Sequence, residues 1–308
     1  MNNTLEIKHL EKNFGKKKIL TDVSFTVTKG HIVGLVGANG AGKTTIMKAI
    51  LGLVGFSNGT ITINGESVSL NKHQALSKVG ALIENPGIYP YLTGWDHLRL
   101  FAEKNITKSM MTELVSALKM DKYIHQKAKG YSLGMKQKLG IALAFLNNPD
   151  FVILDEPMNG LDPQATFDLR QLITTKANEG TTFLISSHIL GELEKLAKDL
   201  VIIDRGQIIK QTTTDELLST GEKYFVFGQL QAESSKWQFR AETAQEDLER
   251  VKQQLVAVNQ QYEHRLQSDQ VDLAQHQELV QQARQAKLTK WLHPFKNRQK
   301  ETKHVSQS

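Results

Sequence analysis

Gly37-Ala38-Asn39-Gly40-Ala41-Gly42-Lys43-Thr44 fits the pattern GxxxxGK[ST], directly after the apolar run Ile32-Val33-Gly34-Leu35-Val36 and directly before a helical pattern over residues 44–53. Strand, glycine-rich loop and helix in that order describe a phosphate cradle. The glycines let successive backbone N–H groups turn toward an anion. The helix adds its positive N-terminal end. Lys43 supplies a charge for the β- and γ-phosphates, and Thr44, followed by Thr45, supplies a hydroxyl for Mg²⁺. The run Phe151-Val152-Ile153-Leu154 ends in Asp155-Glu156. Carboxyl ends of parallel strands are where ligands sit in open α/β sheets. Asp155 is therefore expected to hold Mg²⁺ through water, and Glu156 to polarise an attacking water. Together these elements predict a nucleoside triphosphatase.

The strands fall into two kinds. Val23, Phe25 and Val27 alternate with Ser24 and Thr26, and Ile61 and Ile63 with Thr60 and Thr62, which suits half-exposed antiparallel strands. Residues 32–36, 151–154, 183–185 and 200–203 are continuous apolar runs, which suits parallel strands buried on both faces. Helical patterns occupy 44–53, 109–120, 138–146 and 164–177. The stretch 88–148 holds helices and no clear strand. The expected architecture is α/β: a parallel central sheet, an antiparallel β subdomain and an inserted helical subdomain over about 88–148.

The chain has 308 residues, 38 Lys+Arg against 32 Asp+Glu, and no Cys. Without cysteine it can form neither a disulfide nor a thiolate metal site, which points weakly to a reducing, cytosolic setting. No apolar stretch approaches the ~20 residues that span a bilayer, and the first residues lack a basic, then apolar, secretory pattern. The net charge of +6 is modest for this length and does not of itself suggest nucleic acid.

Between the two phosphate-site stretches lies Tyr131-Ser132-Leu133-Gly134-Met135-Lys136-Gln137, and after them come Asn159-Gly160-Leu161-Asp162 and Ser186-Ser187-His188. In this order the motifs resemble those of the ATPase subunits of ABC transporters, over roughly residues 4–225. The resemblance implies roles at matching positions. Phe14 stacks on adenine. Ser132, Leu133, Gly134 and Met135 form the signature that closes on the ATP of a second protomer. Asp162 communicates across that dimer, and His188 contacts the γ-phosphate. The partner ATPase is a second copy or a related chain. The membrane path belongs to permease subunits on separate chains, which places this chain at the inner face of the cell membrane. Leu133 and Met135 replace the usual first glycine and glutamine of the signature, and Glu84 stands where the family usually has Gln. Glu84 is thus implied as a third group near the metal and the attacking water. These departures resemble the subgroup handling bacitracin and lantibiotic-type peptides, so that export of such a peptide or drug for resistance or immunity is implied. The alternative is a non-transport ABC ATPase acting on nucleic acid, ribosomes or an assembly complex. Ribosomal relatives usually carry two ATPase modules, whereas one phosphate loop and one signature occur here.

The ATP-binding domain is expected to span 4–228. From Gln229 to His293 there is neither Gly nor Pro, and Gln is frequent. Trp237, Ala241, Ala244, Leu248, Val251, Leu255, Val258 and Tyr262 alternate in spacing by four and three, and Leu266, Leu273 and Val280 follow at seven. This heptad seam fits a coiled-coil-like helix over 229–286, either pairing two copies or folding back on its own domain. Residues 287–308 form a basic tail with interleaved Trp291, Leu292 and Phe295. It is read as solvated and disordered, or as a weak contact to anionic lipid.

Overall fold

The structure, a computed structural model, describes residues 3–84 and 86–219. These lie within the first of two units into which the chain divides, Met1–Ser234; the second is Ser235–Ser308. The expected heptad helix over 229–286, the basic tail and the domain boundary at 228 lie outside the described residues.

Ten strands and seven α-helices follow one another along the described chain: β1 (Asn3–Phe14), β2 (Lys17–Thr28), β3 (Ile32–Val36), α1 (Lys43–Ile50), β4 (Asn58–Ile63), β5 (Glu66–Ser67), β6 (Val79–Leu82), α2 (Gly94–Phe101), α3 (Lys108–Ala117), α4 (Leu133–Phe145), β7 (Phe151–Leu154), α5 (Pro163–Asn178), β8 (Thr182–Ser187), α6 (Leu190–Leu193), β9 (Asp199–Asp204), β10 (Gln207–Thr213) and α7 (Thr214–Ser219). They build two sheets. One is antiparallel, in the order β2-β1-β4-β5; the other has six strands in the order β10-β9-β3-β8-β7-β6. In the larger sheet β9, β3, β8, β7 and β6 run parallel, and β10 closes one edge antiparallel to β9. The parallel character expected of 200–203 therefore holds on one side only, toward β3.

The continuous apolar runs divide residue by residue between two cores. Val33, Leu35, Phe151, Ile153, Leu184, Val201 and Ile203 face a core shared with α1 and with strands β1, β2 and β4. Val36, Val152, Leu154, Phe183, Ile185, Leu200 and Ile202 face the other core, shared with α4 and α5. Successive side chains of a strand point to opposite faces, so a strand covered on both sides needs apolar residues at every position. Each fully buried Val, Leu, Ile or Phe contributes about 1.5–3 kcal/mol by leaving water.

The second core runs on into 94–146, where α2, α3 and α4 form the helical layer expected over 88–148, with no strand among its described residues. Thr93 caps α2 through a reciprocal bond pair with Asp96, and Thr107 caps α3. The signature helix departs from expectation: α4 starts at Leu133, not near 138, because the Ser132 side chain accepts from the Met135 N–H and so supplies a cap.

Candidate ATP site

The strand order decides the site. β3, β8 and β7 are consecutive neighbours, so the phosphate loop after β3, the 186–188 segment ending β8 and Asp155-Glu156 after β7 emerge side by side at the carboxyl edge. Thr44 and Asp155, 111 positions apart, meet there, as do Lys43 and Glu156.

The loop itself is tightly seated. Gly42 precedes α1 with φ +111, a region that residues with a Cβ rarely enter. A Cβ on Gly37 would come within 2.4 Å of the Ile203 carbonyl, so no other residue fits between the loop and β9. The Ala41 N–H donates to the Ala38 carbonyl at 3.1 Å, and the Gly206 N–H to the Ala41 carbonyl at 2.9 Å. These bonds hold Ala38, Asn39, Gly40 and Ala41 as a preformed turn at the N-terminus of α1, with Thr45 in the first turn of the helix.

Lys43 is buried, and its ammonium donates to the carbonyls of Gly37 at 2.6 Å and Ala38 at 3.2 Å. It also faces Glu156 Oε1 at 3.3 Å. The other Glu156 oxygen accepts from His188 Nδ1 at 2.8 Å, so the Glu156 carboxylate lies between the Lys43 ammonium and the His188 imidazole. Burial pushes the Glu156 pKa up, but the His188 hydrogen bond and the Lys43 charge outweigh burial and hold it below the usual carboxylate value. The same bond raises His188 above its ordinary value against a smaller opposing effect of burial. Glu156 is therefore an ionised carboxylate near neutral pH, as a water-polarising base has to be.

Asp155 lies alongside, nearly fully buried. Thr44 Oγ1 donates to Asp155 Oδ2 at 2.7 Å, and Ser186 Oγ donates to Asp155 Oδ1 at 2.5 Å. Ser186 Oγ also accepts the Glu156 N–H at 2.9 Å. Glu156 has φ +48, a left-handed conformation costing a non-glycine residue about 1–2 kcal/mol, and the Ser186 bond helps to hold it there. In the sequence Ser186 is marked only by its place in the Ser186-Ser187-His188 motif. The signal for its role was a hydroxyl directly after the apolar run 183–185 in a strand buried along its whole length.

The Thr44 hydroxyl and Asp155 carboxylate, in direct contact, are oxygen donors of the kind Mg²⁺ uses when most of its shell is water and phosphate. Among the described residues no group of three or more His, Asp or Glu side chains could hold a metal alone. Glu84, the third expected group, follows β6 with φ +57, and its carboxylate accepts from Lys48 Nζ of α1 at 2.6 Å rather than meeting Thr44 or Asp155. From Glu84 the chain passes to Pro86, which packs on Gly140 of α4, and to Tyr89, whose N–H donates to Nε2 of the buried His97 at 2.9 Å. Nδ1 of His97 donates to the Thr93 carbonyl at 2.7 Å.

The remaining expected residues lie around this centre. Phe14 ends β1 and is 53% exposed, with the Lys12 ammonium 4.5 Å from its ring centre. Leu133 is 63% exposed beside the Ser132 cap. Gly134 approaches Gly160 so closely that a Cβ would lie 2.8 Å from its carbonyl, and Gln137 donates to the Pro157 carbonyl at 3.2 Å. The signature segment is thus fastened to the loop that follows Glu156. Asp162 caps α5 by accepting from the Ala165 N–H at 2.8 Å.

The family model described as ABC transporter matches residues 20–159. A Bacillus subtilis ABC transporter ATP-binding protein, YdbJ, is 42% identical over 246 residues, covering 78% of this chain and 80% of its own. The lantibiotic transport ATP-binding protein SrtF of Streptococcus pyogenes is 40% identical, covering 68% and 91%. The bacitracin transport ATP-binding protein BcrA of Enterococcus faecalis is 38% identical, covering 74% and 75%. Among solved structures, an ATP-binding subunit of an ABC transporter superposes with a TM-score of 0.66 at 30% identity, covering 74% of this chain and 99% of that one. Fold, phosphate loop, Asp155-Glu156 pair and relatives agree, and the chain belongs to the ABC transporter family as one of its ATP-binding, ATP-hydrolysing subunits.

Proposed function

We propose that this chain drives export of an antimicrobial peptide or drug, as resistance or immunity, through permease subunits carried on separate chains. The observation that carries the reading is the meeting of Lys43, Thr44, Asp155, Glu156 and His188 at one sheet edge, with Glu84 beside α1. The names of the bacitracin and lantibiotic transport relatives support the substrate class. No helix among the described residues is long and apolar enough to cross a membrane, which agrees with a path made by other chains. Tyr89, Tyr91, Leu100 and Phe101 are large exposed apolar residues on α2 and the segment before it, and they support a docking surface for such a chain.

In this mechanism the phosphate loop and Lys43 fix the triphosphate, and Phe14 stacks on adenine. Two protomers close so that Ser132 and Gly134 of each face the ATP held by the other, with Asp162 at the seam. Mg²⁺ bound at Thr44 and Asp155 would neutralise charge on the phosphates. Glu156 orients a water in line with the γ-phosphorus and accepts its proton, and His188 holds the Glu156 carboxylate in place. Such phosphoryl transfer depends chiefly on positioning and charge stabilisation.

Affinity purification from membranes tests the transport reading. Membrane permease chains are expected to co-purify; ribosomes or nucleic acid in their place would replace it with the non-transport reading.

A further inference from the structure

We propose that Lys48 is a positioning residue for Glu84, and that the pair neutralises a carboxylate this chain carries next to its triphosphate site. The inference rests on the reading that Glu84 faces the nucleotide. Lys48 Nζ donates to Glu84 Oε1 at 2.6 Å. Lys48 stands four residues after Thr44 on α1, on the same face and about 6 Å farther along the axis. Glu84 sits in a left-handed conformation that a non-glycine residue keeps only where its surroundings hold it. Beyond Glu84 the loop is held independently, by Pro86 against Gly140 and by the Tyr89 N–H on His97. Lys48 is thus the contact that fixes the Glu84 side chain itself.

The side chains are 29% and 59% exposed for Lys48 and Glu84, so the pair adds little to folding stability. Its effect falls on a ligand instead. An unpaired negative charge about 10 Å from the ligand, at effective dielectrics between 20 and 80, weakens binding roughly 2- to 20-fold for each unit of net ligand charge. Lys48 removes that penalty while keeping a carboxylate in reach of the site.

Calorimetric titration of the full chain with ATP, with and without Mg²⁺, tests the pairing. Lys48→Gln is expected to weaken ATP binding roughly 2- to 20-fold for each unit of net ligand charge, less at high salt, and Lys48→Arg to retain it. Glu84→Gln leaves Lys48 free and is expected to tighten binding by a similar factor. Adding Lys48→Gln to Glu84→Gln then removes a cation that no longer answers a carboxylate, and the double variant returns to near wild-type affinity. The thermal midpoints should stay together. ATP affinity unchanged in both single variants would mean that Glu84 does not face the nucleotide, and the proposal would fall with that reading. A response to Glu84→Gln but none to Lys48→Gln would leave Glu84 at the site and overturn the pairing alone. Loss of affinity in Lys48→Arg equal to that in Lys48→Gln would also overturn it, because charge would not be what matters.

Discussion

Replacing Ser186 by alanine removes one oxygen from a fully buried position and little else. That oxygen donates to Asp155 Oδ1 at 2.5 Å and accepts the Glu156 N–H at 2.9 Å. Its loss strands one buried N–H and one carboxylate oxygen, and each such group costs about 1–3 kcal/mol. Asp155 keeps its bond from Thr44 through Oδ2, which places the sum nearer about 2–4 kcal/mol than the upper limit. For a module of this size the expected fall in Tm is roughly 5–15 °C. Turnover should fall as well, by about 10- to 100-fold, because Glu156 loses a bond that holds its backbone at φ +48, and small displacements of a reacting group carry penalties of that order. Urea unfolding would measure the first effect, with an unchanged slope showing that stability alone has moved. Steady-state phosphate release would measure the second. A loss below about 1 kcal/mol with turnover unchanged would refute the view of Ser186 as the strut between Asp155 and Glu156.

The Glu156–His188 pair makes stability depend on pH from both sides. The His188 pKa is raised on folding, so its contribution is complete below the unfolded value near 6.5 and is lost as pH rises through the folded value above it. The Glu156 pKa is lowered, so its contribution is complete above about 4.5 and is lost as pH falls through the folded value below it. Urea midpoints measured across pH should therefore decline on the alkaline side in wild type, and His188→Gln should flatten that limb. An identical alkaline decline in His188→Gln would assign it to another group. Phe14→Ala, at an exposed strand end, is expected to leave Tm unchanged, weaken ATP binding about 5- to 100-fold and leave inorganic triphosphate binding unaltered, as loss of base stacking alone requires. Equal weakening for both ligands would remove the stacking role.

What the sequence disclosed follows from how local each determinant is. The phosphate loop was legible because its chemistry resides in residue types at fixed spacing, and β3, β7 and the 183–185 run of β8 because burial on both faces makes these runs continuously apolar. β1 escaped notice because its apolar residues do not alternate. Register shifts between Ile7 and Leu10, with His9 at φ +49, place Leu5, Ile7 and Leu10 in the core without a period of two. The start of α4 lies earlier than the pattern suggests because Gly134 lowers the helical preference of its first turn. The turn forms through the local Ser132 cap and through packing of Gly134 on Gly160, a contact between distant parts of the sequence. The Lys48–Glu84 pair and the double use of Ser186 were likewise invisible, since their partners lie 36 and about 30 residues away and meet only through the strand order.

The central claim is that Glu156, held between Lys43 and His188, orients the water that attacks ATP. Glu156→Gln tests it with the shape of the side chain preserved. ATP binding by the purified chain should persist, while phosphate release falls at least ~100-fold, the scale of a lost general base. Turnover near that of wild type, with ATP bound normally, would contradict the account.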